Sequence, residues 1–320
     1  IILKHLTYTF PKRDLLFTDL NLAVNSGEKT ALVGNNGVGK STLLKLIAGL
    51  LVADSGTITH DQQPYFVPQL FGQYNDLSIA QALNLHDKCQ ALAEILAGNV
   101  DQQYLDMLQD DWDFEKRAAD ALHNWGLSGI SLSSPLSSLS GGQKTRVFLA
   151  GMLIHNPKNI ILDEPTNHLD QDARALLYDF ILQSNSTFVV VSHDPALLNL
   201  LSPIHELSST GIQHFQGSFA EFQLAKAEAY QSQQQDVAHA EKELRKAKDL
   251  ERKAQERKLK RDSRGKKKQE QAGLPKVMQN TLRNNAERSS SKTKEIHANK
   301  VAGISQNLHA LRMALPQMEQ

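Results

Sequence analysis

Gly34-Asn35-Asn36-Gly37-Val38-Gly39-Lys40-Ser41 places glycines, a lysine and a hydroxyl at the spacing GxxxxGK[ST]. Glycines let a backbone curl until successive N–H groups point at phosphate oxygens, and a following helix adds its positive N-terminus. Lys40 is then placed to reach the outer phosphates of a nucleotide, the Ser41 hydroxyl to ligate Mg²⁺, and Thr42 to continue the helix start. Two carboxylates, Asp163 and Glu164, close an apolar run beginning at Asn159. Asp163 suits the metal, directly or through water, and Glu164 suits orienting or deprotonating an attacking water. A third cluster, Leu139-Ser140-Gly141-Gly142-Gln143, sets a hydroxyl and glycine N–H groups at another helix start, a further place for an anion.

These groups need an α/β frame to hold them. Strands are expected at Ile1–Leu6, Leu20–Val24, Lys29–Val33, Gly56–Thr59, Ile160–Asp163, Phe188–Ser192, Ile204–Leu207 and Ile212–Phe215. The runs IILD and FVVVS read as strands buried on both faces of a largely parallel sheet. TALV before the glycine loop and STLLKLIAGL after it supply the strand and helix that such a loop requires. Ser78–Gly126 carries no strand signal, so a helical subdomain, about 78–155, is expected within a domain spanning 1–222.

GNNGVGKST, YFVPQ, LSGGQ, IILDEPTNHLD and VVVSHD, in that order over roughly 215 residues, resemble the ATP-binding cassette superfamily. The resemblance implies a P-loop NTPase fold, ATP as substrate and Mg²⁺ as cofactor. It also implies roles: Gln69 contacting Mg²⁺ and sensing nucleotide, His193 on the γ-phosphate, and Asp170 in the loop that couples two sites. Ser140, Gly141, Gly142 and Gln143 would close over the nucleotide of a second cassette, so one cassette alone should bind ATP but hydrolyse it slowly. Phe10, 24 residues before Gly34, stands where the family puts an aromatic under adenine, and Tyr8 is a neighbouring candidate. Ser192-His193-Asp194 is no hydrolase triad, because adjacent residues cannot aim three side chains into one relay.

The net charge of zero conceals a division: residues 226–300 hold 21 Lys and Arg against 11 Asp and Glu, and the remainder holds 14 against 24. Opposite halves point to different partners. From Ser218 onward Gln, Ala, Lys, Arg and Glu favour long helix. Tyr230, Val237, Ala240, Leu244, Ala247 and Ala254, then Val301, Ile304, Leu308 and Leu311, read as seams of an antiparallel helical hairpin over 223–320. Arg261–Pro275, with two glycines and a proline, is expected to break the helix. Lys258, Lys260, Arg261, Arg264, Lys266, Lys267 and Lys268 crowd this bend and suit an RNA phosphate backbone. The segment Gln279–Ser291, poor in apolar and aromatic residues, suits a tip that meets RNA by shape and phosphate.

EPTNHLD and the basic hairpin together resemble the ABC-F branch. That implies a ribosome-associated translation factor or an antibiotic-resistance protein acting on the ribosome, with rRNA and tRNA as partners. The start at Ile1 and the absence of a second cassette read as part of a longer chain. A single cysteine, Cys89, rules out an internal disulfide and fits a cytoplasmic setting. No apolar run is long enough to span a bilayer. The alternative is the ATPase subunit of an ABC membrane transporter; a chromosome or repair ATPase would carry its coil between the glycine loop and LSGGQ.

Overall fold

A computed structural model of the chain describes residues 1–10, 15–271, 294–296 and 298–313. It divides into two compact units, Ile1–Phe222 and Gln223–Gln320.

In the first unit, β1 (Ile2–Thr9), β2 (Leu15–Ala23), β3 (Lys29–Val33) and α1 (Lys40–Ile47) come first in the chain. Next come β4 (Ser55–Thr59) and β5 (Tyr65–Val67), then the helices α2 (Ile79–Ala82), α3 (His86–Leu96), α4 (Gln102–Leu108), α5 (Phe114–Asn124) and α6 (Gly141–His155). The unit closes with β6 (Asn159–Asp163), α7 (Gln171–Gln183), β7 (Thr187–Val191), α8 (Pro195–Leu198), β8 (Ile204–Ser208) and β9 (Gly211–Phe215). One sheet has the order β5-β6-β7-β3-β8-β9, parallel except for β9; a separate antiparallel sheet has the order β2-β1-β4.

Alternation along the central strands explains the layers. Ala31, Ile160, Leu162, Phe188 and Val190 enter the core shared with α5, α6 and α7. Leu32, Ile161, Val189 and Val191 enter the opposite core, with Leu43, Leu44 and Ile47 of α1 and Leu3, Leu6 and Phe17 of the antiparallel sheet. The helical region shares the first core, through Ile79, Leu83, Leu108, Phe114, Ala118 and Leu122.

Three features differ from expectation. β1 and β2 are longer, each carried past a residue with left-handed backbone, His5 (φ 52°) and Asp19 (φ 54°). There the register shifts, and polar residues occupy a half-buried strand. β5 has three residues, too few for a periodic signal. The eight expected strands form two sheets, a division that alternation within each strand does not disclose.

α9 (Phe219–Gln271), whose residues from Gln223 onward belong to the second unit, continues ten residues past the start of the break expected at Arg261–Pro275. It passes through Gly265, which costs only about 1 kcal/mol relative to alanine in a helix, amid residues that favour helix. Gly273, Pro275 and the segment 279–291 lie outside the described residues. Ala240, Ala247 and Leu308 are buried; Tyr230, Val237, Leu244, Ala254, Val301, Ile304 and Leu311 are half-buried. Arg312 pairs with Glu241 at 2.5 Å, so the helix over 298–313 lies against α9 on the apolar stripe.

Candidate nucleotide site

The loop 34–39 joins β3 to α1 at the C-terminal edge of the parallel strands, where open α/β sheets take ligands. Gly34 (φ 149°) and Gly39 (φ 106°) both hold backbone that favours glycine. A Cβ on Gly34 would lie 2.3 Å from the Leu207 carbonyl oxygen, and one on Gly39 2.6 Å from the Phe17 ring. The loop is thus backed by β8 on one side and by β2 on the other. Asn35, Asn36 and Gly37 are exposed at its crest; Val38, Ser41 and Thr42 are half-buried at its base. Lys40 Nζ donates to the carbonyls of Gly34 at 2.6 Å and Asn35 at 3.1 Å, which holds the ammonium over the loop.

Strand order puts β7 between β3 and β6, and the Ser41 hydroxyl donates to Asp163 Oδ1 at 3.1 Å. Asp163 is buried, which pushes its carboxyl above the usual range, while Ser41, Lys45 and Lys40 oppose the shift. A buried carboxylate beside a hydroxyl, open to phosphate oxygens on the loop side, is a donor set that fits Mg²⁺. Gln69 is exposed two residues beyond β5, whose Val67 pairs with Leu162 of β6; it therefore shares an edge with Asp163.

Glu164 follows with left-handed backbone (φ 52°), its N–H donating to the Val191 carbonyl at 2.8 Å. One carboxylate oxygen accepts the His193 backbone N–H at 3.2 Å, and the other lies 3.3 Å from His193 Nε2. Burial raises the Glu164 pKa and the neighbouring His193 opposes it. A carboxylate held this way is a stronger base than one in water.

The two aromatic candidates separate by burial. Tyr8 is 7% exposed in the core and meets the half-buried Phe10 edge to face, ring centres 5.6 Å apart. Of the two, Phe10 is the more exposed.

Ser140 caps α6: its hydroxyl accepts the Gln143 N–H at 3.3 Å, and the Gln143 side chain accepts the Ser140 N–H at 2.9 Å. Gly141 and Gly142 abut His168; a Cβ on Gly142 would lie 2.6 Å from the His168 carbonyl oxygen. Asp170 caps α7 by accepting the Ala173 N–H at 3.0 Å, and pairs with Arg146. Ser140–Gln143 thus contact the turn after Glu164, while the phosphate loop, Asp163, Glu164 and His193 gather at the strand ends.

Ser192 and Asp194 serve structure: the Ser192 hydroxyl accepts the Asp194 N–H at 3.1 Å, and Asp194 caps α8 and takes the Tyr178 hydroxyl. Burial pushes the Cys89 thiol up, as for an unreactive cysteine. In the second unit Lys260 and Arg264 are exposed on α9. Lys258, Arg261, Lys266, Lys267 and Lys268 have backbone within α9, and their side chains lie outside the described residues. Arg146, Phe17 and Leu207 carry no motif signal for the parts they play around the site, and the NHLD motif that contains His168 does not disclose its backbone contact with Gly142.

The ABC transporter family model matches residues 17–167. The chain is 34% identical over 217 residues to the putative ATP-binding protein YdiF of Bacillus subtilis, covering 67% of this chain and 30% of that protein. It is 32% identical to ABC transporter F family member 4 of Arabidopsis thaliana, over 68% of this chain and 29% of that one. To the tylosin resistance ATP-binding protein TlrC of Streptomyces fradiae it is 30% identical, over 72% and 46% respectively. The chain therefore spans less than half the length of these relatives. Among solved structures, the dimeric structure of the bacterial ABC transporter cassette MJ0796 shares its fold, with a TM-score of 0.51 and 22% identity over 67% of this chain and 97% of that chain.

Proposed function

This chain carries a cassette of the ATP-binding cassette family, with an ABC-F protein among its relatives, and from that premise we propose an Mg²⁺-dependent ATPase that works with a second cassette. The observation that supports it most is the hydrogen bond from Ser41 to Asp163, with Glu164 and His193 adjoining. Residues 34–42 wrap the phosphates, and Lys40 exchanges its loop carbonyls for phosphate oxygens. Ser41, Asp163 and Gln69 would hold Mg²⁺, which would neutralise charge on the phosphates. Glu164 takes the proton of the attacking water, His193 contacts the γ-phosphate, and Phe10 stacks on adenine. Ser140, Gly141, Gly142 and Gln143 close the site of the second cassette.

The basic second unit suits a ribosomal partner in the cytoplasm, through rRNA and tRNA phosphates, in translation or in protection against antibiotics. Tylosin resistance in the name of TlrC supports the latter. Among the described residues no helix is long and apolar enough to cross a membrane.

Glu164→Gln should lower ATP turnover about 10²–10⁴-fold while nucleotide still binds. Turnover equal to the parent would reject the assigned base. The Glu164→Gln protein should also pellet with ribosomes more strongly than the parent, less so as salt rises. No pelleting above background rejects the ribosomal role, and isolation with a membrane partner favours a transporter subunit instead.

A further inference from the structure

β8 and β9 meet antiparallel at the edge of the six-stranded sheet, and their register sets His205 opposite His214. Residues directly opposite on such a pair share a face, so the two imidazoles are neighbours. Their ring centres are 5.0 Å apart and the ring planes are inclined by 47°, which is not a parallel stack. Two residues along β8, Leu207 enters the core beside α1, and Ile212 of β9 packs against that core. On the other side His205 is paired in register with Leu32 of β3. An apolar side chain would suit position 205.

The position instead holds an imidazole that is 3% exposed and, among the described residues, has no hydrogen-bond partner on either ring nitrogen. A buried polar group in that state costs stability and is a place for a water or an ion. His214 is exposed, and an exposed ring changes rotamer within nanoseconds, which opens a path to the nitrogens beneath. Burial holds the His205 pKa down at about 4, so the ring is neutral and its lone pair uncommitted at neutral pH. Glu28 acts on the same ring in the direction that favours positive charge there. A cation suits the place.

Neutral imidazoles are donors that zinc, nickel and copper ions take and that magnesium and calcium pass over for oxygen. Bonds of about 2.0–2.1 Å from nitrogen put a tetrahedral zinc about 3 Å from each ring centre, and the two centres about 5 Å apart. The separation of His205 and His214 matches that spacing. Among the described residues no three His, Cys, Asp or Glu side chains gather for a metal, so water completes the shell. Two protein ligands make an exchangeable site, whereas a structural zinc takes four.

We propose that His205 and His214 form a binding site for a divalent transition-metal ion such as Zn²⁺. The pair is distinct from the residues assigned to nucleotide and Mg²⁺. A bound ion ties β9 to β8, the strand whose Leu207 carbonyl backs Gly34.

Titration of the full chain with Zn²⁺, in the absence of nucleotide, tests the proposal. Zn²⁺ at about a hundred times its Kd should raise the melting temperature by about 5 °C. Cu²⁺ should bind more tightly than Zn²⁺, and as a paramagnetic ion it should broaden the ring signals of His205 and His214 before those of the other histidines. His214→Ala, at an exposed position, and His205→Leu should each weaken Zn²⁺ affinity by at least the roughly tenfold that follows loss of an outer-shell partner. The exposed pair of His5 and Asp19, 2.5 Å apart, is the rival imidazole site, and His5→Ala controls for it. No Zn²⁺ binding in the parent overturns the proposal. So does affinity that survives either His214→Ala or His205→Leu, loss in His5→Ala alone, or Cu²⁺ broadening that begins at other histidines. Neither readout involves ATP, so failure here leaves the proposed ATPase untouched.

Discussion

The Tyr65 hydroxyl fills the space where a side chain on Gly151 would stand: a Cβ there would come within 1.8 Å of it. Tyr65 belongs to β5, which leads to Gln69, and Gly151 belongs to α6, which starts at Ser140. The hydroxyl donates to the Phe148 carbonyl at 2.8 Å, so β5 and α6 are locked at this one place.

Gly151→Ala should therefore destabilise the first unit by about 2–3 kcal/mol, because neither a helix backbone nor a bonded buried hydroxyl can retreat cheaply. Tyr65→Phe on its own should cost about 1 kcal/mol, for the lost hydrogen bond. Denaturant unfolding of the two variants checks this; a Gly151→Ala protein as stable as the parent would refute the close contact.

Phe10 and Tyr8 should separate in a binding experiment. Phe10→Ala should weaken ATP affinity about tenfold, as loss of one aromatic stacking partner for a base does, and leave the fold intact. Tyr8→Ala removes a ring buried in the core and should cost about 3–5 kcal/mol of stability. Its folded fraction should bind ATP like the parent. Titration with a fluorescent nucleotide beside thermal unfolding tells them apart, and a reversed pattern would move the stacking role to Tyr8.

What the sequence discloses follows from what is local. The glycine loop, Asp163-Glu164 and the capping Ser140 are each set by residues within a few positions, so spacing reveals them. The apolar runs of β6 and β7 are equally plain, since both faces are buried. The hydrogen bond joining Ser41 to Asp163 spans 122 positions and depends on strand order, which no single run encodes. His168 is harder still: its part lies in a backbone carbonyl and a left-handed turn, and neither is a side-chain property. Gly265 alone does not end α9, because one unfavourable residue is outvoted by helix-forming neighbours; Gly273 and Pro275 lie outside the described residues.

Asp111 should make the helical region sensitive to acid. Arg117 grips its carboxylate at 2.7 and 2.9 Å and Lys88 at 2.5 Å, which holds its pKa down at about 2 against an ordinary 3.8. A folded-state pKa below the unfolded one means that the stabilisation is complete above about pH 4 and is lost as pH falls toward 2. After screening by water it should amount to about 1–2 kcal/mol. Asp111→Asn should lose that amount at neutral pH and flatten the acid limb below pH 4. Equal acid slopes in the two proteins would contradict the ion-pair account.

His205 works over a higher window. It is 3% exposed on β8, neither ring nitrogen has a hydrogen-bond partner among the described residues, and its ring centre lies 5.0 Å from that of His214 on β9. Burial, and then His214, lower its pKa to about 4 against an ordinary 6.5, with Glu28 opposing. The folded chain thus binds fewer protons than the unfolded chain between these values, and stability falls as pH drops from 6.5 toward 4. The full loss should be on the order of 3 kcal/mol. His205→Leu removes the buried proton acceptor and the two orphaned nitrogens at similar volume. Its stability should stay flat from pH 6.5 to 4 where the parent declines, and at pH 5 it should exceed the parent. Because the Leu207 carbonyl backs Gly34 from the same strand, nucleotide affinity should weaken over that window in the parent more than in the variant. Unfolding curves and nucleotide titrations at pH 7, 6 and 5 test both statements, and parallel declines in the two proteins would show that the acid response arises elsewhere.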